Sequence, residues 1–233
     1  MSLNGTLTTL ASHGYEAVIA ASGATLVSLT HDGRALTASF DPLTEVGEGW
    51  EGRALAPWPN RIADGRYTFG GVEYQVPINE PEIGTALHGL AGHQLWDVVE
   101  ASQDRVVLSL DLPAQLGYPF DVLLGAEYSL GADGLTVRIS ALNQGSGDAP
   151  VALSSHPYLT WDFASIDTCE LTAPGERVLR VDDRMLPVEL ADVAGTPLDF
   201  RAGVPLEGRS ADNAFTAPEG EWSVVLRHPS GAV

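Results

Sequence analysis

The stretch AEYSLGADGLTVRISA, residues 126–141, decides the fold class. From Leu135 to Ala141 the apolar residues Leu135, Val137, Ile139 and Ala141 alternate with Thr136, Arg138 and Ser140. A period of two puts one set of side chains on each face of an extended chain, so this run predicts a half-buried β-strand. Asp133-Gly134 stands between it and the preceding run, and such pairs accept the positive φ of a tight hairpin turn. The same grammar recurs outward. Val106, Leu108, Leu110 and Leu112 alternate likewise, with Ser109 and Asp111 between the last three. Gly70-Gly71 separates RYTF from VEYQV, and Asp32-Gly33 separates TLVSLT from RALTASF. A polar SQD joins LWDVVEA to RVVLSLDL. About a dozen short strands are expected and no long amphipathic helix. The 15 prolines and 25 glycines fit a turn-rich, all-β protein.

The chain has 233 residues, 44% of them hydrophobic, enough for a substantial core. No internal repeat or boundary stands out, and a single domain spanning 1–233 is expected. The segments Phe40 to Ala56 and Asn143 to Pro150 lack a strand pattern and are expected to be loops. No run reaches the length of a membrane span. Met1-Ser2-Leu3-Asn4 shows neither the basic nor the apolar region of a secretory signal. One cysteine, Cys169, cannot form an internal disulfide. Together these point to a cytoplasmic protein. The formal charge is −19, from 31 acidic and 12 basic residues, and every basic residue is arginine. That balance disfavours nucleic acid and anionic membranes as partners. The lack of lysine excludes Schiff-base chemistry.

Three segments concentrate residues able to do chemistry. In PWPNRIADGRYTF two prolines stiffen the chain before Asn60-Arg61. Arg61 is either a preorganised fork of donors for a ligand or a structural arginine paired to a loop carbonyl or carboxylate. In NEPEIGTALHGLAGHQLWD, His88 could project from a strand end into a cleft, while His93 reads as a surface histidine. Their spacing lacks a third metal ligand. In ALSSHPYLTWD, Pro157 biases His156 to an extended conformation and removes the next ladder donor, marking a strand end or bulge. His156 suits a neutral-pH proton donor, or equally a core histidine bonded to a turn. Tyr118, Tyr158, Trp161 and Trp58 could add aromatic faces near these segments. No nucleotide-binding, phosphate-binding or serine-hydrolase motif occurs.

Taken together, PNRIADGRYTFGGVEYQVPINE, ALHGL, SHPYL, VDDRMLPV, GTPLDFR and ADNAF, in that order, resemble the aldose 1-epimerase (galactose mutarotase) family, in the His-Pro-Tyr form of a bacterial subgroup. The resemblance runs from about Gly14 onward. It implies a large antiparallel β-sandwich, the galactose mutarotase-like super-sandwich, with the family's C-terminal strands not represented in these residues. It implies cofactor-free, metal-free interconversion of the α and β anomers of a free hexose, by a monomer or homodimer. By resemblance His156 is the general acid, Arg61, His88 and Asp212 bind sugar hydroxyls, and Asn60 shapes the arginine loop. The family's general base, a glutamate near its C-terminus, has no positional counterpart among these residues. Glu221 stands in a different segment. The resemblance thus implies that the natural protein continues past Val233, or that the polypeptide to Val233 is a poor catalyst. Two other functions fit the same motifs: a hexose-6-phosphate 1-epimerase, and a non-catalytic sugar-binding module.

Overall fold

A computed structural model describes residues 2–47 and 49–232. The chain falls into two compact units, Met1–Tyr158 and Leu159–Val233.

The first unit opens with β1 (Leu7–Ser12), β2 (Tyr15–Ala20), β3 (Thr25–His31) and β4 (Arg34–Ala35), an antiparallel sheet in chain order. Its turns are glycine-built: His13 and Gly14, then Asp32 and Gly33, all have positive φ, as two-residue hairpin turns of this hand demand. After the irregular stretch from Thr37 come β5 (Ala54–Leu55), β6 (Arg61–Ala63), β7 (Arg66–Phe69), β8 (Val72–Gln75) and β9 (Thr85–Leu87). β7 and β8 form the hairpin expected around Gly70-Gly71, and β6 pairs with β9. A second four-stranded antiparallel sheet follows: β10 (Asp97–Ala101), β11 (Arg105–Leu112), β12 (Val122–Gly131) and β13 (Gly134–Asn143). The unit ends with β14 (Ser154–Ser155), which pairs with β5.

β12 shows why the pattern folds this way. Val122, Leu124, Ala126, Tyr128 and Leu130 are all buried, every second residue. With Val106, Leu108 and Leu112 of β11 they join Leu10, Ala17, Ile19 and Leu26 of the first sheet in one core. Each of the larger side chains contributes about 1.5–3 kcal/mol on burial. The Tyr128 hydroxyl donates to Ala24 O at 2.6 Å, satisfying the one polar atom that strand brings inside.

Three expectations are corrected. The turn between β12 and β13 is Ala132-Asp133, with Gly131 facing Gly134. Gly134 (φ +112) begins the strand instead of closing the turn. β13 itself is an edge strand, so Val137 and Leu142 are exposed and only Leu135 and Ile139 pack on the core. Tyr118 is not an aromatic face: it is buried, its hydroxyl donating to Pro150 O at 3.0 Å.

The second unit has a small helical turn at Ile166–Thr168, then β15 (Glu170–Thr172), β16 (Arg177–Val181), β17 (Pro187–Asp192), β18 (Val204–Pro205), β19 (Val225–His228) and β20 (Gly231–Ala232). β16 and β17 form a hairpin, and the others a sheet in the order β18-β15-β19-β20. Cys169, Phe200, Leu206 and Leu226 make its core. Trp161 belongs here, its indole N–H donating to Ser230 Oγ at 2.8 Å. Asp212 is exposed in the irregular stretch before Phe215. No helix among the described residues is long and apolar enough to cross a membrane.

Candidate functional site

The first unit brings Asn60, Arg61, His88 and His156 together. β6 and β9 pair with Arg61 opposite Leu87, so His88 leaves the sheet beside the arginine. Both ends of this exchange are locked: His88 N–H donates to Asn60 O at 2.9 Å, and Asn60 N–H donates to His88 Nδ1 at 3.0 Å. A backbone N–H can only donate, so Nδ1 is an acceptor, and the neutral ring carries its proton on Nε2. His88 is left as a donor toward whatever meets Nε2. The exchange needs left-handed backbone at both residues, φ +61 at Asn60 and +60 at His88. Such conformations cost about 1–3 kcal/mol each outside glycine and concentrate at functional sites. Gly89, at φ +78, lets the chain turn away: a Cβ there would stand 2.1 Å from Ala56 O, which accepts the N–H groups of Leu90 and Ala91.

His156 sits where β14 stops, at the strand end its proline predicted. Its N–H donates to Arg53 O at 3.1 Å, and its carbonyl accepts from Gly52 N–H at 2.8 Å. The imidazole is half-buried rather than sealed in the core. It meets the His88 ring edge-on, centroids 5.1 Å apart, with the Tyr158 ring 5.1 Å away on another side. Tyr158 donates its hydroxyl to Gly49 O at 2.7 Å, pinning the irregular stretch before β5. Burial, aided by the nearby His156 and Arg61 charges and only partly offset by Glu80, pushes His88 down to about 4. His88 is therefore uncharged at neutral pH.

Sequence reasoning missed two residues here. Trp50, from the loop before β5, lies edge-on to His88 at 5.1 Å and tilted against His93 at 4.6 Å. Its own φ is +69, and Gly92 leaves it room, since a Cβ there would come within 2.5 Å of the indole. Nothing in its local sequence signals this. Glu80 is the second. It receives Arg61 Nε at 2.8 Å and Nη2 at 3.0 Å, a two-pronged ion pair, and the Thr85 hydroxyl at 2.6 Å. Burial opposes the Glu80 charge, but the hydrogen bonds from Arg61 and Thr85 and the charge of Arg61 prevail, holding the carboxyl below its usual range. The prospect that Arg61 pairs with a carboxylate was visible in the sequence; its partner was not.

Beneath the cluster lies Arg53, only 1% exposed. It donates through Nη1 to Gly92 O and through Nη2 to Gly47 O, tying the loop that carries Trp50 to the one that carries His93. Trp58 is half-buried, its indole N–H on Ala86 O at 3.2 Å. No group of three or more His, Cys, Asp or Glu among the described residues is placed to hold a metal ion. The arrangement offers one half-buried imidazole, a neutral imidazole with a fixed donor, and an arginine fork, which suits polar hydroxyl groups and proton transfer.

The aldose 1-epimerase family model matches residues 6–233. The uncharacterized protein YihR of Escherichia coli K12 is 36% identical over the whole of this chain, which spans 76% of its length. Galactose mutarotase of Mus musculus is 32% identical over 63% of this chain and 44% of its own length. Among solved structures, a GalM/aldose epimerase homologue from C. elegans superposes with a TM-score of 0.85 at 24% identity, covering 97% of this chain and 76% of its own. Galactose 1-epimerase from Lactobacillus acidophilus gives 0.82 at 22%, over 97% and 74%. These likenesses show the fold: a galactose mutarotase-like β-sandwich.

Proposed function

The chain belongs to the aldose 1-epimerase family, and from that premise we propose that it acts on a free hexose, interconverting its α and β anomers with His156 as the general acid. The observation that supports this most is the edge-on pairing of His156 with a neutral His88 whose proton is fixed on Nε2. His156 protonates the ring oxygen as a base removes the proton of the anomeric hydroxyl. The C1–O5 bond breaks, the aldehyde rotates about C1–C2, and closure on the other face reverses both transfers. His88 Nε2–H and the Arg61 donors that Glu80 does not take hold sugar hydroxyls. Asn60 fixes the tautomer of His88. The base is not assigned to a residue of this chain. No cofactor takes part in any of these steps.

The test is polarimetry of α-D-galactose and α-D-glucose. Wild-type protein is expected to speed the approach to anomeric equilibrium, and His156→Asn to lose about 10²–10⁴-fold in rate while retaining sugar affinity in calorimetry. A His156→Asn variant as fast as wild type would refute the assignment. Sugar binding with no acceleration by wild type would identify a binding module instead, and acceleration confined to glucose 6-phosphate would identify a phosphosugar epimerase.

A further inference from the structure

We propose that Glu80 is a positioning residue for sugar recognition: its carboxylate holds the Arg61 guanidinium in one orientation beside His88, so that the fork reaches the sugar already aligned. This rests on the functional reading above and adds a residue to it. Arg61 has five N–H groups. Glu80 takes one from Nε and one from Nη2, which leaves three for a ligand. The two side chains are only 18% and 22% exposed, so the pair is shielded from the solvent that makes surface ion pairs weak.

The carboxylate is itself held rigidly. Thr85 donates its hydroxyl to Oε2, and Glu80 and Thr85 exchange backbone hydrogen bonds at 3.1 and 3.2 Å. The neighbouring Asn79 side chain clasps the backbone of Leu87, donating to its O at 2.9 Å and accepting from its N–H at 2.6 Å. Residues 79–80 are thereby fastened to β9, the strand that delivers His88, while Arg61 stands on its partner β6. Acceptor, fork and imidazole share one two-stranded frame. A long arginine side chain freezes about four torsions on binding a ligand, and prior alignment removes much of that entropy cost.

Among the described residues, the titratable groups that face His88 are Arg61 and Glu80 on this frame and His156 at the end of β14; the Trp50 ring that also meets it is uncharged. Removing the Glu80 charge leaves Arg61 without its counter-ion beside that ring.

The experiment is a double-mutant cycle on D-galactose affinity, read by calorimetry, with Glu80→Gln, Arg61→Met and the pair. Glutamine keeps the shape of Glu80 but turns one acceptor into a donor facing the guanidinium. If Glu80 acts through Arg61, Glu80→Gln weakens binding about tenfold in wild type and less than twofold in Arg61→Met. Equal losses in both backgrounds, or no loss in either, would overturn the role of Glu80. Glu80→Asp, which keeps the charge but shortens the reach, is expected to restore part of the affinity; a merely structural carboxylate would give no such grading. A folded wild-type protein that binds neither D-galactose nor D-glucose would instead overturn the functional reading on which the role rests. Thermal unfolding of each variant separates lost binding from lost fold.

Discussion

Acidification from pH 7 to pH 4 should weaken the wild-type fold by about 1.5 kcal/mol more than it weakens a His88→Asn variant. In the folded protein His88 is held at about 4, against an ordinary value of about 6.5 in the unfolded chain. The unfolded chain therefore takes up the proton first. The stabilisation is complete above about pH 6.5, is lost as the pH falls from there to about 4, and changes no further below that. With each tenfold change in proton concentration worth about 1.4 kcal/mol, the loss by pH 4 has a ceiling of about 3 kcal/mol. The ring is half-buried and open to some solvent, which reduces the ceiling by about half. Asparagine is the suitable replacement, because it tolerates the left-handed backbone at this position. Urea unfolding of both proteins at pH 7, 5.5 and 4 isolates the term, since protonation of the carboxylates is common to both. Parallel losses in the two proteins, or a His88 ring resonance titrating near 6.5, would refute the reasoning.

Gly89→Ala should cost more than about 2 kcal/mol in thermal unfolding, because both the left-handed backbone and the approach to Ala56 O exclude a methyl group; a neutral effect would mean that the crossing of residues 56 and 89 is loose. Arg53→Met should lower stability to urea by about 2 kcal/mol, since it strands the buried carbonyl of Gly92 and the part-buried one of Gly47. An unchanged midpoint would show that the arginine is not holding those loops. Leu124→Ala, at the centre of β12, should cost about 2–5 kcal/mol by the same assay, and a loss below about 1 kcal/mol would show that its neighbours collapse into the space.

The hairpins were legible in the sequence because their information is local. Asp32-Gly33 and Gly70-Gly71 carry the backbone freedom their turns need, and the alternation on either side fixes which face turns inward. The strand end at His156 was legible for the same reason, since Pro157 alone dictates it. Where a second element decides the outcome, reading the chain failed. β13 has the alternation of a half-buried strand, yet its edge position, set by the order of the whole sheet, leaves most of that pattern exposed. Tyr118 resembled a candidate binding face until the Pro150 carbonyl 32 residues away claimed its hydroxyl. Trp50 comes from a patternless loop, and only the positions of His88, Gly92 and His93 explain its strained backbone. Glu80 lay in the patternless stretch VPINEPEIG, and the need of Arg61 for a counter-ion was the one signal that could have drawn notice to it.

The pairing of β5 with β14 joins Ser154 to Leu55 and Ser155 to Ala54, and so decides when this site can exist at all. Closing the chain between Leu55 and Ser154 costs about 2 kcal/mol more than closing a ten-residue loop. Hairpins such as β12–β13 can nucleate on their own, whereas this bridge must wait for the sheets it spans. A nascent chain emerging from the ribosome would hold Asn60, Arg61 and His88 for nearly seventy residues before His156 arrived to face them.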